Sequence, residues 1–170
     1  IRLGWYKVYQ PVAFYAAYFT AAPDGFDGET VMGGRAKVKQ LMELINEKGR
    51  EASATEKDTY TAMQIVNECF ARGIKFLPVN LYKSDAKAFL PEDGKIRMPF
   101  NSLSGLGDTA AEKIIAAREE YDLYSVEELR LRTGISKSVI EILRRNGVLE
   151  GLSETDQYSL FDLPMMGDNS

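Results

Sequence analysis

Residues 103 to 118 read Leu-Ser-Gly-Leu-Gly-Asp-Thr-Ala-Ala-Glu-Lys-Ile-Ile-Ala-Ala-Arg, a Gly-Leu-Gly turn set directly before a helical pattern. Gly105 and Gly107 escape the side-chain penalty at positive φ, and Gly105, Leu106 and Gly107 together let another backbone come close to the main chain. Thr109 and Glu112 have the spacing of a capping box, which places the helix start there, with its first amides and positive dipole end beside the turn. An anion, and a phosphate above all, suits such an end. Ala110, Ile114 and Ala117, reinforced by Ala111 and Ile115, form the stripe this helix buries, and Lys113 and Arg118 are expected on the solvent side, where with Thr109 and the turn they are candidate phosphate contacts. Asp108 works against an anion there, so its carboxylate has to turn away, cap the helix or meet a cation. The plainer alternative is a glycine-rich turn between two helices of an ordinary bundle.

Towards the C-terminus, Ser125 opens a helix through about Arg132, and Gly134-Ile135-Ser136 precede another, Lys137 to Arg145, with Gly147 as its stop. Gly134 lies 29 residues after Gly105, and Gly-Ile-Ser repeats Gly-Leu-Gly with the second glycine lost. The second turn therefore reads as mainly structural, with Lys137, Arg144 and Arg145 as its candidate backbone contacts. Towards the N-terminus, Pro11 to Thr20 is apolar nearly all round, as in an enclosed helix that starts at a proline. Ala21 to Gly34 reads as a Gly- and Asp-rich loop, and the stretch from about Arg35 to Lys48 as a helix burying Val38, Leu41, Met42 and Ile45 and ending at Gly49. Thr55 with Asp58 marks a cap for a helix carrying Ala62, Met63, Val66, Cys69 and Phe70, which stops at Arg72-Gly73. Ile74 to Val79 is a strand candidate, and Ala88 to Met98 a hairpin turning at Pro91 to Gly94. The expected fold is mainly α with a small β hairpin.

Composition narrows the chemistry. At 170 residues and 45% hydrophobic, the chain can build one or two small domains with a real core, and no apolar run is long enough to cross a membrane. It begins at Ile1 without the layout of a secretory signal, which suggests a piece of a longer protein. One cysteine, Cys69, at core spacing, and no histidine leave no disulfide framework, no thiolate metal site and no imidazole chemistry, and fit a reducing cytoplasm. The net charge of −4 is unevenly spread: Glu150, Glu154, Asp156, Asp162 and Asp168 lie in residues 148 to 170, which carry no Lys or Arg, and removing these five charges leaves +1. A near-neutral body binds duplex weakly by charge alone, so contact relies on a few placed amides and cations.

The turn and its helix resemble a helix-hairpin-helix pattern, a family that uses hairpin amides to hold a DNA phosphate without reading sequence, often with a bound monovalent cation. A wider resemblance covers the whole chain. Trp5 to Ala17 with its Lys-x-x-x-Pro-x-x-Phe-x-Ala-Ala, Cys69 to Gly73, Pro99-Phe100-Asn101 and Gln157-Tyr158-Ser159-Leu160-Phe161, in this order, are similar to the C-terminal part of PolC-type bacterial DNA polymerase III alpha subunits. The resemblance implies a C-terminal part of the fingers in residues 1–98, with Lys7 a possible nucleotide-phosphate contact. It implies a tandem helix-hairpin-helix, duplex-binding unit in 99–152 and a flexible tail in 153–170. Gln157 to Phe161 resembles the pentapeptide that holds the β sliding clamp, with Tyr158 in place of the usual aliphatic residue. For the intact protein the resemblance implies template-directed addition of deoxynucleotides, Mg²⁺ on palm aspartates, a proofreading exonuclease, and primer-template DNA and other replisome subunits as partners. No strand-borne Asp-x-Asp pair stands in this chain, so no catalytic or metal-binding residue is expected in it, and it is expected to be inactive alone.

Two other functions fit parts of the pattern. A base-excision glycosylase also uses such hairpins and would need an activating carboxylate, for which Asp122 is the nearest candidate. A scaffold would use the hairpins on protein rather than DNA.

Overall fold

The computed structural model describes residues 10–155. Helix α1, Pro11–Ala21, begins with Pro11 in the first turn, where the missing N–H costs nothing, and buries Tyr15, Ala16 and Phe19. Its ring Phe19 is fully buried, with Phe26, Phe89 and Phe76 at centroid distances of 5.1, 5.4 and 5.8 Å. Each such side chain contributes about 1.5–3 kcal/mol on burial. The segment from Ala21 to Gly34, expected to be a loop, contains a short helix, α2, Gly28–Met32. Asp27 caps it by accepting from the Thr30 amide at 3.3 Å, a signal hidden by the surrounding glycines.

Helix α3, Arg35–Lys48, runs between Gly34 and Gly49 and buries Val38 and Ile45, with Leu41 and Met42 half-buried. It packs against α4, Ala54–Ala71. The cap of α4 is corrected from Thr55 and Asp58 to Ser53 and Glu56. The Ser53 hydroxyl accepts from the Glu56 amide at 3.1 Å, and the Glu56 carboxylate accepts from the Ser53 amide at 3.3 Å. Gly73, at φ +76°, ends α4.

The chain then forms a three-stranded sheet of β1, Phe76–Leu77, β2, Leu90–Glu92, and β3, Lys95–Arg97, in the order β1-β3-β2. Strands β2 and β3 form the expected antiparallel hairpin around Asp93-Gly94, at φ +51° and +77°, while β1 lies parallel to β3. Pro91 belongs to β2, opposite Ile96, rather than to the turn. Helices α5, Asp108–Glu120, α6, Val126–Thr133, and α7, Lys137–Arg145, complete the described residues. One continuous core runs from Tyr15 to Leu149. The halves are joined across it: Gly28 sits so close to Ser102 that a Cβ would lie 2.8 Å from its hydroxyl, and Arg145 pairs with Glu29 at 2.9 Å.

The sheet carries an ion pair that makes a pH prediction. Buried Arg97 grips Glu92 with two parallel bonds, Nε to Oε2 at 2.6 Å and Nη2 to Oε1 at 2.8 Å, and donates to the Pro78 carbonyl at 2.9 Å. The Arg97 hydrogen bonds hold the Glu92 carboxyl far below its ordinary value, at about 2. A carboxyl depressed by folding stabilises the native state above its unfolded value of 4.5, and that contribution is lost as pH falls towards about 2. Melting temperatures recorded across that window are expected to fall more steeply for the native chain than for Glu92→Gln; equal slopes would remove this pair from the acid response.

Candidate nucleic-acid interface

The 103–109 turn forms as a hairpin between the 3₁₀ turn Phe100–Ser102 and α5. Gly105 takes φ +87°, Leu106 is buried at 4% exposure, and Gly107 is extended at φ −76° and ψ 164° as the N-cap of α5. Two expectations are corrected here. Gly107 does not use positive φ; its use is open space, since a Cβ there would meet nothing within 4 Å. Thr109 and Glu112 do not form a capping box, because the helix starts one residue earlier, at Asp108, and the N-cap Gly107 has no side chain to bond. The amides of Gly107, Asp108, Thr109 and Ala110 accordingly have no acceptor among the described residues.

The second turn repeats the first in backbone geometry. Gly134 takes φ +67°, Ile135 is buried, and Ser136 is the N-cap at φ −73° and ψ 163°. The lost glycine changes the chemistry rather than the shape: the Ser136 hydroxyl accepts from the Val139 amide at 3.3 Å, an amide whose counterpart after Gly107 is open. The start of α6 is closed more fully, by the Ser125 hydroxyl on the Glu128 amide and by the Ser153 and Glu154 carbonyls on the Val126 and Glu127 amides.

The predicted cations separate. Lys113 and Lys137 are exposed and have no carboxylate partner among the described residues. Arg118 is not on the solvent side: it is half-buried, and its Nη1 donates to the Leu81 carbonyl at 3.1 Å and to the Ser84 carbonyl. Burial draws its pKa down, with Glu119 and Asp85 opposing. Its role is to fasten α5 to the loop of residues 80–88. Arg144 is held by Glu141 at 2.6 Å and Glu154 at 2.9 Å, and Arg145 by Glu29. Lys137 and Arg130 line a cleft of about 450 Å³ floored by Val126 and Ile140.

Asp108 meets a cation, one of the three outcomes open to it. Lys87 Nζ stands 3.6 Å from Asp108 Oδ2 and 3.3 Å from Glu112 Oε1. The Glu112 bond, then the Asp108 charge, raises the Lys87 pKa. No sequence signal could have found Lys87, because it arrives from the loop joining β1 to β2, well before α5 in the chain. Lys7 and Gln157, Tyr158, Ser159, Leu160 and Phe161 lie outside the described residues. Asp122 is exposed beside Tyr124, whose hydroxyl its charge pushes up in pKa, and nothing marks it as an activating group.

A 3₁₀ turn with α5, and α6 with α7, each pair joined through a positive-φ glycine, a buried aliphatic residue and an extended cap, define a helix-hairpin-helix protein. The chain belongs to the helix-hairpin-helix motif family, which it matches over residues 73–158. It is also similar to DNA polymerase III PolC-type proteins. Identity is 44% over 161 residues with that of Clostridium perfringens, 44% over 160 with that of Caldanaerobacter subterraneus and 45% over 161 with that of Thermotoga petrophila, covering 95%, 94% and 94% of this chain. The chain spans 11%, 11% and 12% of the length of these relatives.

The two glycines of the first hairpin are expected to differ sharply on substitution. Gly105→Ala meets both a positive φ and Ile142 Cδ1 at 3.0 Å, and is expected to cost about 1–3 kcal/mol in denaturant unfolding. Gly107→Ala, in ordinary extended backbone with open surroundings, is expected to change stability by less than about 0.5 kcal/mol.

Proposed function

We propose that this chain is the duplex-holding part of a PolC-type replicative DNA polymerase, gripping the sugar-phosphate backbone of primer-template DNA without reading its sequence. The observation that carries this reading is the row of open amides after Gly107, presented by a hairpin whose family and relatives are shared with DNA-handling proteins. Amides at a helix N-terminus suit phosphate oxygens, which are the same at every base pair, so they position the strand and carry no base information. Lys113, one turn along the exposed face of α5, and Lys137, at the start of α7, are the cations that extend the contact. Arg118 is a positioning residue instead, since its bonds to the Leu81 and Ser84 carbonyls fasten the last turn of α5 to the loop of residues 80–88.

Residues 1–98 then serve as the C-terminal part of the fingers, 99–152 as the duplex-binding unit, and 153–170 as a tail that binds the β sliding clamp through Gln157 to Phe161. Polymerisation itself belongs to the whole protein. In this reading the Mg²⁺-binding carboxylates belong to other parts of that protein, and no chemical step is routed through this chain.

Binding to a random-sequence duplex, followed by fluorescence anisotropy over a salt series, is expected to weaken with a log–log slope of about −2 to −4, as for a few phosphate contacts. Gly107→Leu, which the backbone accommodates, is expected to abolish binding while leaving the melting temperature unchanged. Binding that ignores both salt and this substitution would replace the DNA reading with the protein scaffold. For the tail, Leu160→Ala with Phe161→Ala is expected to eliminate capture of the clamp with duplex affinity intact, and persistent capture would refute the clamp assignment.

A further inference from the structure

We propose that Lys87, which lies in the loop between β1 and β2 rather than in the hairpin turn, is a direct phosphate-binding residue of the first hairpin, kept in reserve on Asp108 and Glu112 until a DNA strand arrives. This rests on the duplex reading above and adds a residue to the same site. The geometry places the Lys87 ammonium against the carboxylate of Asp108, which is the first residue of α5 and carries one of the four open amides. A phosphate seated on those amides comes up against the Asp108 charge, and Lys87 is the cation that stands beside it.

The loop that delivers Lys87 is held firmly. The Asp85 carboxylate accepts from the Lys87 and Ala88 amides at 3.1 and 2.8 Å, the Asp85 and Ala86 carbonyls accept from the Phe100 and Asn101 amides, and Ser84 donates to the Met98 carbonyl at 2.7 Å. Arg118 clasps the same loop from α5 itself, so loop and hairpin keep one register. The side chains, by contrast, are free to exchange. Lys87, Asp108 and Glu112 are each more than half exposed, and ion pairs between exposed groups hold weakly. Transfer of the ammonium from carboxylate to phosphate thus needs side-chain rotation alone. It trades two exposed carboxylate contacts for a phosphate contact, leaves Asp108 and Glu112 to solvent and salt cations, and releases a counterion from the DNA.

A cation that merely neutralises Asp108 would also be missed on deletion, so the test is run where there is nothing left to neutralise. The whole chain carrying Asp108→Asn and Glu112→Gln is titrated with random-sequence duplex over a salt series, with and without Lys87→Met. The proposal expects Lys87→Met to make the salt slope shallower by about one and to weaken binding at least threefold at low salt, with Lys87→Arg restoring both. Unchanged slope and affinity in that background would reduce Lys87 to a neutraliser and overturn the proposal. Adding Gly107→Leu to the same background separates the two levels. If that abolishes binding while Lys87→Met is silent, only the role of Lys87 falls; if it does nothing, the duplex reading falls and takes Lys87 with it.

Discussion

The burial of Leu106 organises the functional end of this molecule. Its side chain enters the common core at 4% exposure, which is possible only because Gly105 reverses the chain at φ +87° against Ile142 of α7. With the aliphatic side chain turned in, the next residues are forced outward in extended backbone, and α5 begins at the surface with its amides facing solvent. Ile135 does the same between α6 and α7. Two turns of one shape then differ by one atom group: glycine leaves the helix end open, and the hydroxyl of Ser136 closes part of it.

Electrostatics makes these amides matter more than the side chains around them. Arg118 is committed to backbone carbonyls, Arg144 and Arg145 to carboxylates, and Arg132 lies 4.0 Å above the Tyr121 ring and beside Glu128. Of the cations on α5 to α7, this leaves Lys113, Arg130 and Lys137 without a carboxylate among the described residues. Three scattered cations on a near-neutral body do not concentrate DNA by long-range attraction. Fixed N–H groups, oriented by the helix, lose little freedom when a phosphate docks, so a small protein surface can still hold a strand.

Much of the fold was legible, and the exceptions share a cause. Helices at about Arg35 to Lys48 and from Lys137 to Arg145 were readable, because a 3.6-residue apolar period between glycine stops leaves few alternatives. Short-range polar signals misled: Thr55 with Asp58 had the look of a cap that Ser53 and Glu56 supply, and Thr109 with Glu112 had the right spacing for a cap that Gly107 pre-empts. A capping pattern states which bonds are possible, whereas the core decides where the helix axis enters it. Helix α2 escaped notice because five residues are too few to show a period.

The site divides along the same line. Order along the chain, meaning the paired glycines, the aliphatic residue between them and the stripe of α5, was set by local stereochemistry and could be read from the sequence alone, as could the two-hairpin repeat. Which charges are free was decided only by tertiary structure, because it depends on partners distant in sequence: Arg118 is spent on Leu81 and Ser84, and Asp108 is answered by Lys87. Backbone conformation is a property of neighbouring residues, while the availability of a charged side chain is a property of whatever the fold brings within a few ångströms of it.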